Sequence, residues 1–268
     1  MDNDVKRFDL PGFDLAKMAT VPPEKIVPKQ GDAKEEGFFL ALALVFNDMK
    51  GLALFANFLN QSTHDRAEIS AYSGQWGGMA VQLDRLLAAV LWELLTLIKH
   101  HEDVVDTAAF KELIAEMPKE SRASWKLICS LAIQGANARD PFAQALCRIR
   151  NAGTFHYYTP KAVTAGFRKA FFESPSMDHL AHALVSVGKD VEGTRFYYAD
   201  AAAQVCFQNQ VAASGVTNYK QDLERVFSAA NDALFSLVVR YLLKKQGRGN
   251  PRPPIQGHGA GARKKERK

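Results

Sequence analysis

An apolar stripe with helical spacing runs through residues 35–60, and it constrains the fold more than any other feature. Apolar residues recur there every three or four positions, which is the period of an α-helix. The stripe consists of Phe38, Leu42, Val45, Met49, Leu52, Phe55 and Leu59. Apolar residues also fill the other faces as far as Phe46, which predicts that the first half of this helix is buried on all sides.

The same helical period recurs along the chain, and no stretch shows sustained strand alternation, so we predict an all-α fold. Ser121 is expected to cap one helix, and Asp140 followed by Pro141 is an efficient start for another. A short hairpin could interrupt the helices within residues 185–198. Beyond the first helix, we expect helices at about 79–101, 107–117, 121–134, 141–158, 160–173, 177–187, 194–213 and 218–246.

Proline content and charge divide the chain into three parts. Residues 1–34 contain four prolines and are expected to form an extended arm, whereas residues 35–246 are predicted to form one helical domain. The chain has a net charge of +5, but the residues after Leu243 carry nine Lys or Arg and one Glu, a local charge of +8 that leaves −3 for the rest. The basic tail, residues 247–268, either binds polyanions nonspecifically or serves only to keep the protein soluble.

The sequence also argues against several classes of protein. The N-terminus lacks the pattern of a signal peptide, and charged residues interrupt every apolar run before about 20 residues, so we expect a cytoplasmic protein without membrane contact. Cys129, Cys147 and Cys206 lie far apart, which argues against a disulfide framework or a zinc site. We therefore expect neither a metal nor a cofactor.

Residues 147–158, CRIRNAGTFHYY, bring an arginine, an amide and an imidazole close together. Arg150 can hold phosphate oxygens bidentately, and His156 can transfer a proton near neutral pH. Asn151 could orient either the imidazole or the phosphate, while Tyr157 and Arg148 are candidates for further substrate contacts. This combination of groups is suited to cleavage of a phosphodiester.

The segment RNAGTFHYY resembles the signature of the HEPN family, and the apolar run at 38–52 resembles the first long helix of such proteins. The resemblance implies a HEPN-like helical bundle, elaborated with additional helices, that cleaves RNA without metal. It also implies a homodimer in which two motifs meet at one cleft, and an antitoxin or regulatory partner in a toxin–antitoxin or phage-defence role. The alternatives are a non-catalytic HEPN-like module that binds nucleotide or RNA, and a helical scaffold.

Three further polar residues lie among apolar neighbours on the predicted helices. Asn47 and Asp48 interrupt the first long helix, where they form either a solvated edge or a polar contact with the motif helix. Glu93 on the second helix is either an ordinary surface charge or a carboxylate that orients Arg150. All three are candidates for supporting the motif.

Overall fold

A computed structural model describes residues 21–61, 70–134, 140–154, 161–173, 184–191 and 193–246. Its helices are α1 (Pro23–Ile26), α2 (Lys34–Gln61), α3 (Ala71–His100), α4 (Glu102–Val105), α5 (Ala108–Glu116), α6 (Lys119–Gln134), α7 (Pro141–Ile149), α8 (Lys161–Arg168), α9 (Tyr197–Ser214) and α10 (Tyr219–Lys245). Two π-helical turns follow α7 and α8: the first π turn is Arg150–Thr154 and the second is Lys169–Glu173. The predicted all-α class is confirmed.

Four helices pack in a ring around the largest part of the apolar core. α2 contacts α3 and α10, and α6 contacts the same two helices from the other side, which gives a four-helix bundle. The ring of Phe39 on α2 stacks on that of Tyr241 on α10, with the ring centroids 3.7 Å apart. At one end of the bundle Lys245 on α10 pairs with Glu36 on α2 at 2.7 Å, so the two helices are joined by apolar and ionic contacts.

The prediction that the first half of α2 is buried on all sides is wrong. Phe38 and Leu42 are fully buried, but Leu40 and Leu44 are 53% and 61% exposed. The reason is geometric, since a helix in such a ring contacts two neighbours and leaves its outer face uncovered. The apolar residues on that outer face therefore have no cover from the described helices.

α3 begins eight residues earlier than predicted. Ser70 and Ser73 form a reciprocal capping box that starts the helix at Ala71, so Gly74 and Gly78 lie inside it. The ring of Tyr197 occupies the space that a Cβ at Gly74 would need, at 2.7 Å. These glycines permit a close approach of neighbouring residues, although the predicted start at residue 79 placed them before the helix.

A second layer, α7 to α9 with the two π turns, packs on one side of the bundle. α9 lies against α8, α7 and α3. At Gly166 of α8 a Cβ would collide with the carbonyl oxygen of Ala202 on α9, so these two helices approach as closely as their backbones allow. Tyr219 at the start of α10 contacts the rings of Phe142 and Phe207, which links the layer to the bundle.

Ser121 does not cap α6 as predicted, because α6 begins two residues earlier at Lys119. Its side chain is instead buried and donates to Asp232 Oδ1 on α10 at 2.9 Å. Ser124 donates to the other oxygen of the same carboxylate, also at 2.9 Å. One carboxylate thus accepts two hydroxyl hydrogen bonds between α6 and α10.

The remaining predicted helices agree with the structure to within three residues at each described end, apart from two segments. The predicted helix at 177–187 is wrong where the structure describes it, because Ser186 forms an antiparallel bridge with Arg195. This bridge falls within residues 185–198, where the sequence allows a short hairpin. The predicted helix at 141–158 changes to a π turn at Arg150.

Three predicted segments lie outside the described residues: residues 1–20 of the arm, residues 155–160, and the tail at 247–268.

Two helices, α2 and α10, are long and apolar enough to cross a membrane by length and composition alone. The sequence predicted no such segment, because charged residues interrupt both helices. Core helices of soluble proteins share the same property.

Candidate functional site

α7 positions the motif, and its start is as the sequence predicts. Asp140 caps the helix by accepting hydrogen bonds from the backbone N–H groups of Phe142 and Ala143 at 2.9 and 3.0 Å. Pro141 occupies the first turn, where its missing N–H is not needed. Phe142, Leu146 and Ile149 are buried, so the end of α7 is held firmly against the core.

The backbone changes from an α-helix to a π turn at Arg150. The wider turn changes the direction in which the residues after Ile149 project. It contacts α7, α3, α9 and α8, so it lies at the junction of the second layer with the bundle. Insertions of this kind occur frequently at functional sites.

Arg150 forms an ion pair with Glu93 of α3. The distance from Arg150 Nε to Glu93 Oε1 is 3.1 Å, and the side chains are 38% and 53% exposed. Of the two alternatives considered for Glu93, the structure has the carboxylate that contacts Arg150. Because both groups are this exposed, the pair adds roughly 0–1 kcal/mol to the free energy of unfolding. Its main consequence is to orient the guanidinium group.

Asn151 links Arg150 to the preceding turn of α7. Its Oδ1 accepts a hydrogen bond from Arg150 Nη1 at 3.3 Å, and its Nδ2 donates to the sulfur of Cys147 at 3.5 Å. Burial raises the pKa of the Cys147 thiol, although Arg148, Arg150 and Asn151 act in the opposite direction. The thiol is therefore protonated at neutral pH, where it is a poor nucleophile.

The sequence did not identify Cys147 as a neighbour of the motif. The i, i+4 spacing between Cys147 and Asn151 places the two residues on one face of a helix and could have indicated the contact.

The structure brings some of the predicted site residues together and separates others. Arg150, Asn151 and Glu93 form one connected group. Arg148 is exposed on α7, two residues before Arg150. His156 and Tyr157 lie outside the described residues.

Asn47 and Asp48 are exposed on α2, whose main neighbours are α3 and α10. The first π turn contacts α7, α9 and α8 in addition to α3, so it shares α3 with α2 but not the other three helices. Of the two interpretations offered, the exposure of both residues agrees with a solvated edge of α2.

Among the residues that the structure describes, no three His, Cys, Asp or Glu side chains are grouped so as to hold a metal ion. The comparisons with known proteins give no family. No protein-family model, no curated protein and no solved structure matches the chain.

Proposed function

We propose that this chain is a metal-independent endoribonuclease of the HEPN type. The observation that carries the proposal is the guanidinium of Arg150, which Glu93 and Asn151 hold at a partly exposed π turn. An arginine oriented in this way can hold a phosphate through parallel hydrogen bonds. The resemblance of the surrounding segment to the HEPN signature supplies the class of reaction.

RNA contains its own nucleophile, because the 2′-hydroxyl lies beside the phosphorus atom. His156 accepts the proton of that hydroxyl, the 2′-oxygen bonds to phosphorus, and the bond to the 5′-oxygen breaks. Protonated His156 then gives this proton, directly or through water, to the leaving 5′-oxygen, so one RNA fragment ends in a cyclic phosphate and the other begins with a 5′-hydroxyl. Such proton transfer typically contributes about 10²–10⁴-fold to the rate.

The other residues of the motif have separate roles in the proposal. Arg150 stabilises the charge that develops on the non-bridging oxygens. Asn151 keeps the guanidinium in place through its hydrogen bond. Arg148 and Tyr157 contact the RNA beyond the scissile phosphate, and Glu93 supports Arg150 from α3.

The proposal extends to partners on the strength of the resemblance. The protein acts in the cytoplasm as a homodimer that cleaves RNA, independently of membranes and cofactors. An antitoxin or regulatory partner restrains it in a toxin–antitoxin or phage-defence role, because an unrestrained ribonuclease damages its own cell.

A non-catalytic RNA-binding module is the second candidate, and the charge distribution favours it. The residues after Leu243 carry a charge of +8, which attracts a polyanion whether or not it is cleaved. Binding of this kind weakens steeply with salt and does not require His156.

The test is an RNA cleavage assay in the presence of a chelator. We expect wild-type protein to cut single-stranded RNA into fragments that end in a cyclic phosphate, and His156→Ala and Arg150→Ala to lose that activity. Arg225→Ala is the matched control, because Arg225 is also a surface arginine in an ion pair, with Asp222 at 2.9 Å on α10. Equal cleavage by wild type and His156→Ala would contradict the proposal. Binding without cleavage by every variant would favour the second candidate.

A further inference from the structure

Four aromatic rings form a continuous cluster in the second layer, where the end of α8 meets the start of α9. The ring centroids of Phe167 and Phe172 are 5.9 Å apart, and those of Phe167 and Tyr198 are 6.3 Å apart. The ring of Phe196 continues the cluster, with its centroid 6.0 Å from that of Tyr198. These distances are typical of aromatic rings in direct contact, so each ring touches the next. We call Phe167, Phe172, Phe196 and Tyr198 the aromatic platform.

The two outer rings of the aromatic platform face solvent. Phe172 is 77% exposed and Phe196 is 52% exposed, whereas Phe167 and Tyr198 between them are half-buried. Phe167 follows Gly166, where the backbones of α8 and α9 are in contact, so the inner rings stand on a closely packed base. Exposed apolar side chains that adjoin one another, rather than lying singly, indicate a binding surface.

Positive charge accompanies the aromatic platform. Residues 161–173, which form α8 and the second π turn, contain three Lys or Arg and one Glu, a local charge of +2. Lys161, Arg168 and Lys169 are all exposed. Lys169 Nζ donates to the amide oxygen of Asn209 at 2.8 Å, and this neutral acceptor leaves the charge of the ammonium uncompensated. Proteins hold single-stranded nucleic acid with the same combination, because bases stack on aromatic rings and cations attract the phosphates.

α9 connects the aromatic platform to the candidate site. Tyr198, Ala202 and Cys206 are spaced four residues apart, so they lie on one side of this helix. The thiol of Cys206 contacts the carbonyl oxygen of Ala152 at 3.8 Å, and Ala152 lies in the first π turn two residues after Arg150. The helix rises about 12 Å from Tyr198 to Cys206. A few bases cover that distance at the spacing of about 3.4 Å along a stacked strand.

We propose that the aromatic platform stacks unpaired bases of single-stranded RNA, a few nucleotides from the phosphate that Arg150 holds. The inference rests on the proposed function, because it takes RNA as the ligand of the candidate site. Phosphates are present in single strands and duplexes alike, whereas a base is free to stack on a protein ring only where it is not enclosed in a duplex. The aromatic platform thus selects single-stranded regions for the motif.

A protein partner is the competing occupant of the aromatic platform, because aromatic residues are also enriched in protein interfaces. Lysine, however, is depleted from such interfaces. Here Lys161 and Lys169 are exposed on the same short stretch of chain as Phe167 and Phe172. The surface therefore suits a polyanion with accessible bases better than a protein.

The experiment compares two oligonucleotides by fluorescence anisotropy with the full-length protein. One is a single-stranded 2′-O-methyl RNA, and the other has the same backbone with abasic residues. Neither has the 2′-hydroxyl that cleavage requires, so binding is measured without turnover. Because the phosphates of the two ligands are the same, Arg150 and the basic tail attract both equally. The ratio of the two affinities therefore measures the contribution of the bases alone.

We expect wild type to bind the base-containing oligonucleotide about a hundredfold more tightly than the abasic one, with about tenfold from each exposed ring. Phe172→Ala and Phe196→Ala should each reduce the ratio about tenfold, and the double variant should bring it close to one. Phe172→Tyr keeps an aromatic face and should keep the ratio, whereas Phe172→Leu should lower it as alanine does. Both rings are more than half exposed, so the helical circular dichroism of these variants should stay close to wild type.

Phe235→Ala is the matched control, since Phe235 is also exposed, at 48%, but lies on α10 against the ring of Phe46. This variant should keep the wild-type ratio. Equal affinity of wild type for the two oligonucleotides overturns the inference, and so does a double variant with the ratio of wild type. A ratio close to one in a wild-type dimer that the double variant dissociates would assign the aromatic platform to a protein contact instead.

Cleavage of ordinary RNA is assayed separately, so the two proposals fail in different ways. Preference for bases without cleavage would contradict the proposed reaction and leave the aromatic platform standing. Cleavage without preference for bases would overturn the aromatic platform and leave the reaction standing.

Discussion

The bundle and the second layer of this protein are built in different ways. The bundle consists of regular helices of 16 to 30 residues that share one apolar core. In the second layer, α7 and α8 are short and each runs into a π turn, and Gly166 brings two backbones into contact. Regular helices maximise hydrogen bonding and burial, whereas π turns tend to occur where a side chain must be redirected. The bundle therefore supplies most of the buried core, and the layer carries Arg150.

The largest effect on stability should come from the core of the bundle. Phe39 is 2% exposed and stacks on Tyr241, so Phe39→Ala should lower the free energy of unfolding by about 3–5 kcal/mol. Urea denaturation followed by circular dichroism measures this change. Ile133→Ala is the control, and its effect should be small because Ile133 is 65% exposed. Similar losses in both variants would contradict the claim that the bundle core carries the stability.

Close packing in the second layer should give the next largest effect. Gly166→Ala places a Cβ against the carbonyl oxygen of Ala202, and the required backbone shift should cost about 1–3 kcal/mol in the free energy of unfolding. Gly77→Ala is matched in type, because Gly77 also lies in a helix but its Cβ would meet no atom within 4 Å. That variant should gain up to about 1 kcal/mol, since alanine favours helices over glycine. Opposite signs in thermal denaturation are the expected result, and equal signs would argue against the close approach of α8 and α9.

Features that depend on local spacing were predicted more accurately than features that depend on distant contacts. The helical period and the Asp140–Pro141 start are local, and both predict the structure well. Ser121 was assigned to a cap because serine favours that position, but its partner Asp232 lies 111 residues away. Likewise, the predicted start at residue 79 left Gly74 and Gly78 outside α3, whereas Tyr197 and Arg195 fill the space beside them in the folded chain.

The candidate site shows the same division. The composition of the motif is readable in the sequence, but the choice of Glu93 as partner is a tertiary contact across 57 residues. The periodicity of α3 places Glu93 on a helix without indicating which neighbour it faces. The π turn at Arg150 was also missed, because the apolar spacing of α7 continues smoothly up to Ile149.

The ion pair between Lys245 and Glu36, at one end of the bundle, should have a smaller, pH-dependent effect. The hydrogen bond from Lys245 lowers the pKa of Glu36 below its ordinary value of 4.5, and the same contact raises the pKa of Lys245 above 10.5. The depressed pKa of Glu36 means that its contribution is present above pH 4.5 and is lost as the pH falls through the folded value. The raised pKa of Lys245 means that its contribution is present below pH 10.5 and is lost as the pH rises through its folded value.

Glu36→Gln should therefore reduce the free energy of unfolding by about 1 kcal/mol at neutral pH, and the difference from wild type should shrink in acid. Urea denaturation at a series of pH values measures this difference. The double variant with Lys245→Met completes a cycle that isolates the pair. A difference that stays constant from neutral pH to well below pH 4.5 would show that the pair contributes nothing.

Replacement of Glu93 should have the smallest effect on stability but a clear effect on activity. It therefore distinguishes a role in the candidate site from the stabilising role of the bundle core. Glu93→Gln keeps a hydrogen-bond acceptor near Arg150 Nε but removes the negative charge. Since both side chains are more than a third exposed, the free energy of unfolding should change by less than about 1 kcal/mol.

In the proposed ribonuclease, the loss of the Glu93 charge leaves the guanidinium of Arg150 less firmly oriented. It also removes a carboxylate that repels the RNA phosphate. We therefore expect kcat to fall about tenfold, which corresponds to about 1.4 kcal/mol in the barrier, while KM for RNA decreases. Asp222→Gln, which removes the partner of Arg225 on α10, should change neither parameter. A Glu93→Gln enzyme with unchanged kcat and KM would show that the ion pair is only a surface contact, and Arg150 would then need no support from α3.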